Sequence, residues 1–222
     1  MLAFHPRFVR TFDDLPGYLG LLIHGWNGCN MRCLGCHNHK ELIAARADAS
    51  HLNAEQTLVR IAAANTLFDA VLLSGGEFLI GAMAEIEPFL EQVRGVFDGC
   101  VVIYSNGTYP GKLERLLARH LIDGVHLDVK LPYHLLDPGT EADLYEAILG
   151  TVPSERMRRS LLASIELVIA HDSPVSRVRT VRYPLLSDEY FETIAELILD
   201  LKRKHRSNVP YDLNPYYAPE AL

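Results

Sequence analysis

Short apolar runs alternate with longer stretches of helical spacing along the whole chain. LGLLIH (19–24), DAVLLS (69–74), CVVIYS (100–105) and GVHLDVK (124–130) are apolar runs of strand length. VSRVRTVRY (175–183) alternates with period two, and VPYDLN (209–214) is a last strand. Between them NAEQTLVRIAAANTLF (53–68), AMAEIEPFLEQVRGVF (82–97) and KLERLLARHL (112–121) repeat apolar residues at helical steps. SERMRRSLLASIELVIA (154–170) and DEYFETIAELILDLKRK (188–204) do the same, and a shorter helix is predicted near 141–149. Asn53 and Ser154 are residue types that cap a helix start, the side-chain oxygen accepting a backbone N–H. Strands and helices in alternation imply parallel strands, because parallel neighbours need a crossover long enough to return. A closed eight-unit barrel takes about 250 residues. Six units therefore predict an incomplete (βα)6 TIM-like barrel with parallel strands. With no internal repeat or linker, a single domain over 1–222 is expected.

Composition keeps this picture within ordinary globular bounds. Of 222 residues, 49% are apolar and 22% charged, which excludes a disordered or fibrous chain. Lys and Arg total 21 against 28 Asp and Glu, a net charge of −7. That excess argues against non-specific nucleic-acid binding. No apolar run reaches the roughly 18 residues of a membrane span, and MLAFHPRFVRTFDD lacks the apolar stretch of a secretory signal. A cytoplasmic protein is expected, with neither membrane nor nucleic acid as partner.

The chemistry gathers behind the strands. In parallel α/β folds the functional groups lie at the strands' carboxyl ends. GWNGCNMRCLGCHN (25–38) follows the first strand, SGGE (74–77) the second and SNGT (105–108) the third. The fourth ends in Asp128 and Lys130, and all four segments are expected at one mouth. Cys29, Cys33 and Cys36 fall within eight residues with spacing C-x3-C-x2-C, while Cys100 stands apart. A secreted disulfide framework spreads its cysteines along the chain. Crowded thiols instead suit an iron–sulfur cluster or zinc. Zinc would take a fourth ligand, for which His24, His37 and His39 are at hand. A [4Fe–4S] cluster on three cysteines would leave one iron open to a small molecule. The residues alone leave both open.

CNMRCLGC resembles the signature of the radical S-adenosylmethionine enzymes. The longer GCNMRCLGCHN resembles the subgroup that activates glycyl radical enzymes, and Asp14-Leu15-Pro16-Gly17 is similar to an element before their first strand. The resemblance runs on through SGGE, SNGT, the D-x-K of Asp128 and Lys130, and Arg179-Thr180-Val181-Arg182-Tyr183-Pro184. It implies one [4Fe–4S] cluster held by Cys29, Cys33 and Cys36, with the methionine end of S-adenosylmethionine chelating the open iron. Ser74-Gly75-Gly76-Glu77 would meet the cofactor's amino group, the glycines allowing close backbone approach and Glu77 accepting hydrogen bonds. Ser105, Asn106 and Gly107 would lie near the ribose, although Asn-Gly also makes ordinary turns. Asp128 and Lys130 would border the cofactor. Two apart in a strand they face one side, and buried opposite charges are costly unless paired or functional; a structural ion pair is the alternative. Arg179 has a weaker claim, and Tyr217 stands where some activases have histidine.

The implied activity is removal of a glycine Cα hydrogen from a partner glycyl radical enzyme by a 5′-deoxyadenosyl radical, with a flavodoxin or ferredoxin-type electron donor. Gly35 stands where many relatives carry an aromatic residue. The small activases of anaerobic ribonucleotide reductase also place Gly-Cys there, so that reductase is the first expected partner and pyruvate formate-lyase-like enzymes the second. Two alternatives stand beside this reading: a radical enzyme acting on a small molecule, as deazapurine-forming relatives do, and a non-catalytic metal-binding module. Cys100 is read as a core residue, and Trp26 either shields the cluster or packs. Lys202, Arg203, Lys204 and Arg206 suit a helix C-terminus.

Overall fold

The computed structural model describes residues 1–39 and 50–219. They form two compact units, each drawing on separated segments of the chain. The first takes Met1–Asn30, Asn38–Ser105 and Gly111–Val125; the second takes Met31–His37, Asn106–Pro110 and His126–Leu222.

In the first unit the parallel strands β3 (Gly20–Gly25), β5 (Ala70–Gly75) and β6 (Cys100–Ser105) lie side by side. Gly20 pairs with Ala70, Gly25 with Gly75, and Ala70 with Cys100, so the strands end on one edge. Val71, Leu72, Leu73, Val101, Val102 and Ile103 are all wholly buried. Burial on both faces is why these strands read as unbroken apolar runs. Three strands that the periodicity does not predict complete the sheet. β1 (Ala3–Phe4) pairs antiparallel with β3 and with β4 (Leu52–Asn53), and β2 (Val9–Thr11) pairs antiparallel with β3.

Helices α1 (Ala54–Ala64), α2 (Met83–Val96) and α3 (Pro110–Ala118) follow β4, β5 and β6. Asn53 caps α1 as expected: its Oδ1 accepts from Gln56 N at 2.9 Å while Gln56 Oε1 accepts from Asn53 N at 3.0 Å. That reciprocal pair satisfies two N–H groups the helix itself cannot. α3 starts at Pro110, whose missing N–H costs nothing in a first turn.

The second unit contains most of β7 (Gly124–Asp128), then α4 (Ala142–Leu149), α5 (Glu155–His171), β8 (Arg177–Arg182), α6 (Asp188–His205) and β9 (Tyr211–Pro215). β8 pairs in parallel with both β7 and β9. Ser154 caps α5, its Oγ accepting from Met157 N at 3.2 Å. Lys204 and His205, in the last turn of α6, both reach Glu166 Oε1 of α5, at 2.6 and 3.0 Å. Parallel strands joined by helical crossovers therefore hold in both units. β7 stops at Asp128, so Lys130 is not a strand residue, and the same-face argument from alternation does not place it. Among the described residues no helix is long and apolar enough to cross a membrane.

Candidate functional site

In the first unit the candidate residues gather where β3 and β5 end. Gly25 lies opposite Gly75 in register, which brings the turn after β5 against the chain leading to Cys29. The fit leaves no room for side chains. A Cβ on Gly75 would stand 2.2 Å from Gly25 O, and one on Gly76 would stand 2.0 Å from Gly28 O. Gly75 also has φ of +117°, which side chains strongly disfavour. Glu77 N donates to Gly28 O at 2.9 Å, and Asn38 Nδ2 to Gly75 O at 2.7 Å. The Gly-Gly pair thus ties the cysteine loop's start to the strand end.

Glu77 is 1% exposed. Its Oε1 accepts from Leu79 N at 3.1 Å, capping a short 3-10 turn over Phe78–Ile80. Ser105 Oγ, at the end of β6, lies 3.2 and 3.3 Å from the two carboxylate oxygens. Lys112 braces the same turn, donating to Leu79 O at 2.6 Å and Gly81 O at 2.7 Å. Burial lowers the Lys112 pKa, opposed by the Glu77 charge. Glu77 and Ser105 are therefore brought together, and the carboxylate has structural work besides any cofactor contact. Glu77→Ala is expected to lower stability by about 1.5–3 kcal/mol, the range for a charged hydrogen bond, with Glu77→Gln intermediate. Urea unfolding at constant slope measures it, and an unchanged midpoint would contradict it.

Met31–His37, the rest of the cysteine loop, belongs to the second unit. Arg32 N donates to Leu149 O at 2.8 Å and Leu34 N to Ile148 O at 3.0 Å. These are carbonyls at the C-terminus of α4, which no helical N–H can reach. α4 ends at Gly150, left-handed at φ +63°, where a Cβ would lie 2.4 Å from Arg32 O. Within the loop Cys36 N donates to Cys33 O at 3.2 Å, closing the turn that contains Gly35. None of the four cysteines is in a disulfide. Among the described residues no three His, Cys, Asp or Glu side chains are grouped so as to hold a single metal ion.

Asp128 and Arg179, paired across β7 and β8, form an ion triad with Lys130. Lys130 Nζ lies 3.0 Å from Asp128 Oδ2, and Arg179 Nη2 2.9 Å from Asp128 Oδ1. Burial would raise the Asp128 pKa, but the two cations hold it down at about 2. Burial likewise opposes the Lys130 charge, yet Asp128, and after it Cys33, hold Lys130 well above its ordinary range. Burial pushes the Tyr183 hydroxyl up to about 12, and Lys130, Cys33, Asp128 and Cys36 all act on it electrostatically. Cys33, Cys36, Asp128, Lys130, Arg179 and Tyr183 are thus neighbours in one electrostatic environment. Asp128 and Lys130 are paired to each other, and Arg179 shares the Asp128 carboxylate with Lys130.

The remaining residues divide more plainly. Asn106 Oδ1 accepts from Thr108 N at 3.1 Å and Thr108 Oγ1 at 2.7 Å, the side-chain turn that Asn-Gly favours. Gly107 follows at φ +84°, its carbonyl accepting from Ser164 Oγ at 2.7 Å. Cys100 begins β6, where burial and Asp123 raise its pKa. Trp26 packs within 6.0 Å of the His5 ring and 6.1 Å of the His51 ring. Tyr217 is 69% exposed, and its backbone carbonyl lies 3.0 Å from His37 Nε2. The sequence reading missed Ile148, Leu149 and Gly150 as the loop's support, and Tyr216 beside Gly35.

Comparison with known proteins gives this geometry a family. Residues 19–141, more than half of the chain, match the model described as a 4Fe-4S single cluster domain. A protein of Methanocaldococcus jannaschii named as a glycyl-radical enzyme activating enzyme is 30% identical over 175 residues, which cover 78% of this chain and 66% of that protein. Among solved structures, QueE from Escherichia coli superposes with a TM-score of 0.51 at 14% identity, covering 97% of this chain and 85% of QueE. The structure described as native anSMEcpe with bound AdoMet gives 0.53 at 12% identity, covering 84% of this chain and 48% of the other. The fold shared with these structures is the expected incomplete (βα)6 barrel, that of the radical S-adenosylmethionine enzymes. The chain belongs to the 4Fe–4S single cluster domain family.

Proposed function

We propose that the protein activates a glycyl radical enzyme, taking a hydrogen from a glycine Cα of its partner with a [4Fe–4S] cluster and S-adenosylmethionine bound. The observation that carries the reading is the 30% identity, over 78% of the chain, to the Methanocaldococcus jannaschii protein of that name. Cys29, Cys33 and Cys36 are assigned as the cluster ligands. The donor set fits: three soft thiols, none in a disulfide and all partly exposed. The chemistry these groups supply when bound is one-electron cleavage of the sulfonium to methionine and a 5′-deoxyadenosyl radical, the electron coming from a flavodoxin or ferredoxin-type donor. The protein's part is to bind, orient and exclude water.

Gly75 and Gly76, packed against the backbone of Gly25 and Gly28, are assigned to the cofactor's amino group, with Glu77 and Ser105 as acceptors beside them. Lys130 keeps its charge at 8% exposure, suited to a carboxylate, and Asp128 fixes it in place. Asn106 completes the assigned cofactor residues, through the turn it holds. Anaerobic ribonucleoside-triphosphate reductase is the first expected partner, on Gly35, and pyruvate formate-lyase-like enzymes the second. The likeness to QueE over nearly the whole chain favours a second reading, a compact radical enzyme acting on a small molecule. Deuterium placed on the partner's glycine Cα distinguishes them. Its appearance in 5′-deoxyadenosine supports the activase; its absence with every glycyl radical enzyme, alongside turnover of a small molecule, overturns it.

A further inference from the structure

We propose that the segment Asn214–Tyr217 is a clasp on the cysteine loop, with Tyr216 the positioning residue that holds the Cys33–Cys36 turn. β9 launches the segment from a fixed register. Arg177 donates to both Asp212 oxygens, at 2.8 and 3.0 Å, and Pro215 pairs with Arg182 at the end of β8. Residues 213–219 are exposed with one exception, the half-buried Tyr216. Its ring lies over Gly35. A Cβ on Gly35 would stand 2.4 Å from Tyr216 Cε2, 2.6 Å from its hydroxyl oxygen and 2.8 Å from Cζ. Gly35 is left-handed at φ +65°, so the turn and the ring close over the same bare backbone. Tyr183, 3% exposed, backs the ring with centroids 6.1 Å apart at 50°.

A second tie runs alongside, between His37 Nε2 and the Tyr217 carbonyl at 3.0 Å. The cysteine turn is therefore gripped on two sides: by the α4 carbonyls Ile148 and Leu149, and by the residues after β9. The α4 grip is backbone hydrogen bonding that no side-chain substitution removes directly. The clasp grip rests on the Tyr216 ring and the single His37–Tyr217 hydrogen bond. An exposed segment anchored so sparsely opens at small cost, so Tyr216 controls how often the turn carrying Cys33 and Cys36 is released. Nothing in the sequence around Tyr216 marks this; the contact spans about 180 residues.

Hydrogen exchange on the full chain tests the clasp, and chelator-driven iron release from the reconstituted protein tests its consequence. The iron readout rests on the ligand assignment above; the exchange readout does not. Tyr216→Ala is expected to speed exchange of peptide 31–38 by roughly tenfold or more, leaving the strands at 70–75 and 101–105 unchanged. Iron release should speed in parallel. Gly35→Ala, which drives a methyl into the ring, should act in the same direction, and Tyr216→Phe should keep native exchange. Unchanged exchange in Tyr216→Ala, equal speeding throughout the core, or local speeding without faster iron release would each overturn the clasp. Full iron retention in Cys36→Ser would instead overturn the ligand assignment.

Discussion

Single replacement of Cys29, Cys33 or Cys36 by Ala will leave a folded protein that neither retains a reconstituted cluster nor forms 5′-deoxyadenosine. A cluster that exposes one iron has three protein ligands and no spare. Changes merely behind a metal ligand cost about 10–100-fold in affinity or activity, so loss of a ligand exceeds that. Folding should survive, since the backbone hydrogen bonds from Arg32 and Leu34 to α4 that hold the loop carrying Cys33 and Cys36 do not depend on the thiols. Cys100→Ala will keep both cluster and cleavage. Burial and the Asp123 carboxylate hold that thiol protonated, and only the thiolate is a ligand. Iron and sulfide content after anaerobic reconstitution measure the first effect, and chromatography of 5′-deoxyadenosine the second. Full iron in any of the three variants, or its loss in Cys100→Ala, would show the ligands to be misassigned.

Legibility in the sequence followed burial. β3, β5, β6 and β7 were readable because they are largely buried apolar runs, β8 because it alternates, and the helices because capping residues such as Asn53 and Ser154 announce them. β1, β2 and β4 were not, since two or three residues carry no period. Lys130 was misplaced because β7 ends at Asp128, and the pair forms through a loop rather than through alternation. Gly75 and Gly76 were legible as glycines, but not their reason. That depends on β3–β5 register, which puts carbonyls of Gly25 and Gly28 against them. Glu77 read as a cofactor ligand because a charge at a strand end points to a mouth; its bond to Ser105 needs the packing of β6. Tyr216 and the α4 carbonyls lie far from the cysteines in sequence, and pattern reading has no access to such contacts.

Gly76→Ala is expected to damage the fold severely. The added methyl would stand 2.0 Å from Gly28 O and 2.7 Å from Gly28 C, both backbone atoms that no rotamer change can move. Retreat of Gly28 would break its hydrogen bond from Glu77 N, held at 2.9 Å. It would also drag Cys29, whose Cβ lies 3.5 Å from the same methyl position. Overpacking ordinarily costs about 1–3 kcal/mol, and a backbone clash belongs at or above the upper end. With a urea slope of about 2–3 kcal/mol per M, the midpoint should fall by roughly 1 M or more. Gly95→Ala gives the opposite sign. Gly95 lies in α2 with nothing within 4 Å of its Cβ position, so the change should raise stability, by up to about 1 kcal/mol. Urea unfolding of both variants checks the pair. A Gly76→Ala midpoint within error of the parent would mean that the strand-end turn and the cysteine loop are not locked together as their carbonyl contacts require.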